Sequence, residues 1–293
     1  MKPTTMRTMR KVITMTTTSR PGLLVTMVGF GALMGAGACA TSGELKQDTF
    51  AARKKLTGEL SARGDYATAF TYADGMHRER PRDAEVLVLR GVIYREKGMP
   101  AEAEADLQEA LRLDDGAADA HAALGILYDL THRPERAELE HRRAVALASN
   151  SPGYLNNLGF SLFLHGKAEE AIACFARAAR LDPTNRRVRT NLGFALASKG
   201  DLRGAAREFD FGGTTAEARN NLGFAYERRG DMAHAYDLYR EASGLDPGSV
   251  RARANLAHAA TTLGRDPSPG GASLTSPASP AADQPLGVDA PSP

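Results

Sequence analysis

The sequence predicts an all-α solenoid of six helix-turn-helix repeats closed by a C-terminal capping helix. Three observations carry this. A small residue recurs at a fixed step: Gly91, Gly125, Gly159 and Gly193 are each 34 apart, Gly223 follows after 30, and Ala257 after another 34. Twelve residues beyond these glycines stand Ala103, Ala137, Ala171, Ala205 and Ala235, and the same spacing joins Thr57 to Ala69 one period earlier. Finally, the chain has 29 Gly, no Trp and only 6% aromatic residues, a composition suited to helices that approach through small side chains rather than to an aromatic-rich β core.

The elements follow in chain order. Residues 1–38 hold five basic residues and no acid, then an uncharged apolar run from Gly22 to Ala38. At about 1.5 Å rise per residue this run is short for a hydrocarbon core of roughly 30 Å, so it reads as the hydrophobic region of a signal peptide. Residues 39–49 read as a short linker, and residues 50–264 as the repeat array with its capping helix. Turns within the pairs are marked by Gly64-Asp65, Gly98, Gly166, Gly200-Asp201 and Gly230-Asp231, and several pairs end at a proline, Pro81, Pro183 or Pro247, which cannot continue the preceding helix. The 30-residue step leaves the second helix of repeat 5 about one turn short, ending at Gly212-Gly213. Either the superhelix pitch changes there or the deletion is neutral. Residues 265–293, rich in Pro, Ser, Ala and Gly, have too few apolar side chains to offset ordering entropy and read as a disordered tail.

The period, the small–aromatic–small–Pro pattern and the segments Asn157-Leu158-Gly159-Phe160, Asn191-Leu192-Gly193-Phe194 and Asn221-Leu222-Gly223-Phe224 together resemble the tetratricopeptide repeat. The resemblance spans roughly residues 50–263. His141 departs from it where an aromatic is expected, and Asp115 and Ser149 stand where prolines are expected. The resemblance implies that the first helices of the pairs line a groove. Asn157, Asn191, Asn221 and Asn255 then form a row along it, doubled by Asn156 and Asn220, like the asparagine ladder by which some members hold peptide backbones. A carboxamide offers one donor and one acceptor face to a peptide group; equally, Asn is common at this position and the row can be unused. Phe160, Phe194 and Phe224 divide between groove contacts and helix packing. Ala36-Gly37-Ala38-Cys39 resembles a lipobox, which implies lipidation of Cys39 and a lipid-anchored, outer-membrane, periplasm-facing protein; an ordinary signal peptide and an uncleaved anchor are the alternatives.

Several classes are excluded or left without support. The net charge is +2, and without the first 38 residues the chain nets −3, so the electrostatic footprint of a nucleic-acid binder is missing. The two cysteines, Cys39 and Cys174, do not make a disulfide framework. The seven histidines show no ligand spacing, and no phosphate loop or nucleophile elbow is present, so no metal, no cofactor beyond the lipid and no enzymatic activity are expected. The basic runs Arg186-Arg187-Val188-Arg189 and Arg142-Arg143 read as solvated helix faces before an acidic-partner site. The whole chain resembles the repeat-bearing lipoprotein of the tight-adherence (Flp/Tad) pilus assembly system. This implies a non-enzymatic scaffold that holds a protein or peptide segment of an envelope assembly. A pilotin-like chaperone of an outer-membrane secretin and a soluble adaptor are the rival readings.

Overall fold

The computed structural model describes residues 42–268, with side chains from Thr49 onward. Residues 1–38, read as a signal peptide, together with Cys39 and the tail beyond residue 268, lie outside the described residues. Thirteen helices and no strand occur among the described residues. They are α1 Ser42–Ala62, α2 Tyr66–Glu79, α3 Ala84–Glu96, α4 Pro100–Leu113, α5 Ala118–Leu130, α6 Pro134–Leu147, α7 Pro152–Leu164, α8 Ala168–Leu181, α9 Arg186–Ser198, α10 Leu202–Gly212, α11 Thr215–Arg228, α12 Met232–Leu245 and α13 Val250–Leu263. Six antiparallel pairs and a last single helix match the expected count. The first helix starts at Ser42, inside the stretch read as a linker. The repeat signal begins only near Phe50, so the period gave no sign of the extra turns.

Local chemistry sets the boundaries. Asp65, Asp83, Ser151, Asn185, Asp201, Thr214, Asp231 and Ser249 each accept a hydrogen bond from a backbone N–H of the helix they precede, satisfying a donor with no partner inside the helix. Pro100, Pro134 and Pro152 sit at helix starts, where the missing N–H costs nothing. Each pair turns through a left-handed residue. It is glycine in five repeats, as at Gly98 with φ 75°, but His132 with φ 58° in the third.

The chain forms two compact units, divided after Gly213. The first holds α1–α10. Within it each helix packs on its pair partner, and the first helices touch in succession, α1 on α3, α3 on α5, α5 on α7 and α7 on α9. The small residues allow the close approach. A Cβ added at Gly193 would stand 2.5 Å from the Phe209 ring, and one at Gly159 2.9 Å from Phe175. Phe175 and Phe209 are fully buried against those glycine faces, and Leu107 against Gly91. The second unit, α11–α13, repeats the scheme with Gly223 against Tyr239, and α13 covers α12 through Leu256, Ala259 and Ala260.

The shortened helix is as expected: α10 has 11 residues where the other second helices have 14. Its last turn is pinned to the start of α9. Arg186 Nε donates to the Gly212 carbonyl at 3.2 Å, and a Cβ at Gly212 would meet Thr190 Oγ1 at 2.7 Å and the Arg186 carbonyl at 3.2 Å. No helix among the described residues is long and apolar enough to cross a membrane.

Candidate functional site

The six asparagines do not form one uniform row. Asn156, Asn191, Asn220 and Asn221 are buried, while Asn157 and Asn255 are half-buried. In the first unit Asn191 Nδ2 donates to Asn156 Oδ1 at 2.8 Å, linking α9 to α7. In the second, Asn255 Nδ2 donates to Asn220 Oδ1 at 2.9 Å, linking α13 to α11. The two pairs have the same sequence separation and the same geometry. The asparagine doublet of one first helix thus receives the single asparagine of the next. Each pair uses one donor and one acceptor and leaves one of each available, whichever way the amides are oriented. Asn157 and Asn221 make no side-chain hydrogen bond among the described residues.

Two of the three phenylalanines fill half-buried sites beside this face. Phe160 packs on the cluster around Leu158 and Phe175, and Phe224 on the cluster around Tyr239. Phe194 is buried and meets Phe209 edge-on with ring centroids 4.8 Å apart, so it belongs to helix packing rather than to a groove surface. Cys174 packs on the α7–α8 core, and burial pushes its thiol above the ordinary value.

A buried polar cluster escaped sequence reasoning. Asp129 accepts from His141 Nε2 at 3.1 Å within its own repeat, and from Ser161 Oγ at 2.9 Å and His165 Nε2 at 3.0 Å in the next. Burial alone would raise the Asp129 pKa. The bond and charge of His141, with the bonds from His165 and Ser161, outweigh it and hold the carboxyl below its ordinary value. His141 fills the aromatic position against Gly125, where a Cβ would lie 2.6 Å from its ring, and its Nδ1 is buried without a partner. The misfit of His141 in the repeat pattern was the available signal; its link to Asp129 depends on side-chain placement that the period does not encode. Nearby, His121 Nδ1 lies 2.5 Å from Glu140 Oε2. These bonds tie neighbouring helices together. Among the described residues no group of three His, Cys, Asp or Glu side chains is placed to hold a metal ion.

The basic runs separate by partner. Arg142 pairs with Glu138 and Glu170, both at 2.8 Å, and Arg143 with Glu140 at 3.3 Å. Arg189 pairs with Glu208 at 2.9 Å. Arg187 is exposed and has no such partner.

Comparison with known proteins gives the same picture of the fold. One tetratricopeptide-repeat family model matches residues 84–117 and 152–185, and a second matches 215–243. No curated protein matches the chain in sequence. Among solved structures, PilW, described as a widely conserved type IV pilus biogenesis factor, superposes with a TM-score of 0.61 at 18% identity, over 71% of this chain and 98% of that one. PilF of Pseudomonas aeruginosa gives 0.58 at 19% identity, over 73% of this chain and 99% of that one. A tetratricopeptide repeat protein from Parabacteroides merdae gives 0.52 at 15% identity, over 76% and 86%. At these identities the likeness establishes the all-α tetratricopeptide solenoid fold.

Proposed function

We propose that this tetratricopeptide-repeat chain is a lipid-anchored docking scaffold that holds an extended segment of an envelope assembly against its first helices. The observation that carries the reading is the cross-repeat carboxamide pair, built twice with the same geometry, at 2.8 Å and 2.9 Å. Each pair leaves one carboxamide NH₂ and one carboxamide oxygen without a partner among the described residues, the two kinds of group that a peptide main chain requires. A hydrogen bond nets about 0.5–1.5 kcal/mol, so a few such contacts give weak, sequence-tolerant binding. Attachment to a membrane raises the effective concentration of the face for partners held there. Anchoring falls to Cys39, behind the small residues Ala36-Gly37-Ala38. More than one acyl chain makes such attachment stable, at about 0.8 kcal/mol for each buried CH₂. The assembly we propose is a pilus machine of the tight-adherence type at the outer membrane. Two proteins that share the fold, PilF and PilW, are named for pili, and the sequence resemblance points the same way.

The test is the mass of the mature N-terminal peptide from membrane and soluble fractions, for the wild-type chain and Cys39→Ala. The expected result is an acylated Cys39 in the outer membrane and loss of that species in the variant. An unmodified N-terminus in the soluble fraction sinks the anchored reading and leaves a soluble adaptor.

A further inference from the structure

The second helices of repeats 3–5 carry an outward face that the docking of a segment on the first helices does not use. Leu139, Arg143 and Leu147 stand four apart on α6, Ala173, Arg177 and Leu181 on α8, and Arg203, Arg207 and Phe211 on α10. These stripes lie two residues, or about 200° of helix, from Ala137 and His141, Ala171 and Phe175, and Ala205 and Phe209, all of which are buried. They therefore point away from the core. Leu147 is 49% exposed, Leu181 42% and Phe211 68%. The arginines are exposed, apart from the half-buried Arg177, and the exposed Arg180 joins them on α8. The helices are in register, since Arg143, Arg177 and Phe211 occupy the same position in successive repeats, 34 apart.

The cations of this face are largely free. The side chains of Arg177, Arg180, Arg203 and Arg207 make no hydrogen bond or ion pair with any described residue, and Arg143 shares Glu140 with His121. Most nearby acids are engaged elsewhere. Glu138 and Glu170 pair with Arg142, Glu208 with Arg189 and Glu169 with Lys199. Glu135 stands back in the first turn of α6, and Asp210 borders Phe211. The repeat itself does not demand this pattern. At the position of Arg143, repeats 1 and 2 have Gly75 and Glu109, and repeat 6 has Glu241. The mixed basic and apolar face is thus confined to repeats 3–5.

We infer that the outward face of α6, α8 and α10 docks on an anionic phospholipid surface. The arginines take the lipid phosphates, and Leu147, Leu181 and Phe211 sit at the boundary between headgroups and acyl chains, the division of labour of interfacial helices. The inference rests on the lipid-anchored part of the reading above, which keeps the chain at a bilayer, and adds which face is turned toward it. A lipid surface fits better than an acidic protein. The cations are on long side chains without fixed partners, and the large apolar groups are spread over three helices. Headgroups that diffuse in the bilayer plane can match such spacing, whereas a protein interface has a contiguous, closely packed centre.

The chain has no Trp, so Phe211→Trp gives a single fluorescent probe on this face. The full chain bearing it is purified from membranes and reconstituted into vesicles of phosphatidylglycerol with brominated phosphatidylcholine, and into vesicles of brominated phosphatidylcholine alone. In the anionic vesicles the emission is expected to shift to the blue and be quenched by the bromine. In the neutral vesicles, and in the anionic ones at high salt, both effects should be absent although the chain still floats with the lipid. Arg177→Glu with Arg207→Glu, added to the probe chain, should abolish the quenching without loss of flotation. An unchanged circular dichroism spectrum confirms that the variant is folded. Equal emission in the two kinds of vesicle, or quenching that survives the charge reversal, overturns the inference and leaves the face to an acidic protein or to solvent. A chain that does not float at all overturns the anchored reading instead. The same chain is then added to preformed anionic vesicles, where charge reversal should lower its partitioning roughly tenfold or more; equal partitioning of the two chains overturns the inference there too.

Discussion

At the scale of single residues, the third repeat shows how a departure from pattern is accommodated. His132 occupies the left-handed turn position that is glycine in the other repeats. For an L-residue with a Cβ this conformation costs roughly 1–2 kcal/mol. His132→Gly should therefore raise the thermal midpoint by a few degrees, the added chain entropy of glycine cancelling part of the gain; a lowered midpoint in a melting experiment would show that the imidazole makes a compensating contact. Asp129 is the opposite case, a buried carboxylate that three donors require. Asp129→Ala leaves those donors without their acceptor and should cost about 3 kcal/mol in urea unfolding. The pH dependence follows from the sign of the shift. The folded pKa lies below the unfolded value, so the contribution is present above about pH 4 and is lost as pH falls through the folded pKa. Between about pH 4 and the folded pKa the wild type should lose stability on acidification more steeply than Asp129→Ala. Parallel curves would mean that the carboxylate does not matter.

At the scale of elements, the shortened α10 is a designed stop rather than a frayed end. Gly212 packs against the backbone of α9, with its missing Cβ hemmed in by Thr190 and the Arg186 carbonyl. Backbone cannot move aside as a flexible side chain can. Gly212→Ala is thus expected to destabilise by about 1–3 kcal/mol, read as an earlier urea midpoint, whereas Gly75→Ala, where a Cβ meets nothing within 4 Å, should be neutral or mildly stabilising. Two residues on, the chain restarts with a full capping box: Glu217 N–H donates to Thr214 Oγ1 at 3.3 Å, and Thr214 N–H donates to the Glu217 carboxylate at 2.7 Å. Such a box fixes where a helix begins without help from its neighbours.

At the scale of the whole molecule, stability comes from stacking, since no pair covers its own apolar face. The second unit makes this testable. Tyr239 and Ala235 are fully buried and Tyr236 nearly so, and α13 covers them through Leu256, Ala259 and Ala260. Burial, with the bond from its hydroxyl to Glu227 at 2.6 Å, raises the Tyr239 pKa far above the ordinary value. Ending the chain before Val250 should expose this face, lower the thermal midpoint by several degrees and make the protein aggregate with rising concentration, as expected for a repeat array without its polar cap. An unchanged melt in the truncated chain would mean that α13 adds no stability.

The amino-acid sequence by itself determined the helix pairs, their number and the shortened fifth repeat. Each depends on local or periodic information: turn glycines, caps, and a small residue every 34 positions facing a large one. It also marked the six asparagines, because their spacing is that of the repeat. What the tertiary structure decided is how those asparagines are used. Asn191 and Asn255 reach back to Asn156 and Asn220, and Phe194 turns into the packing against Phe209. The pairing of a side chain with one in the next repeat depends on distances of a few ångströms between helices far apart in sequence, and periodicity fixes which residues share a face but not which atoms meet across it.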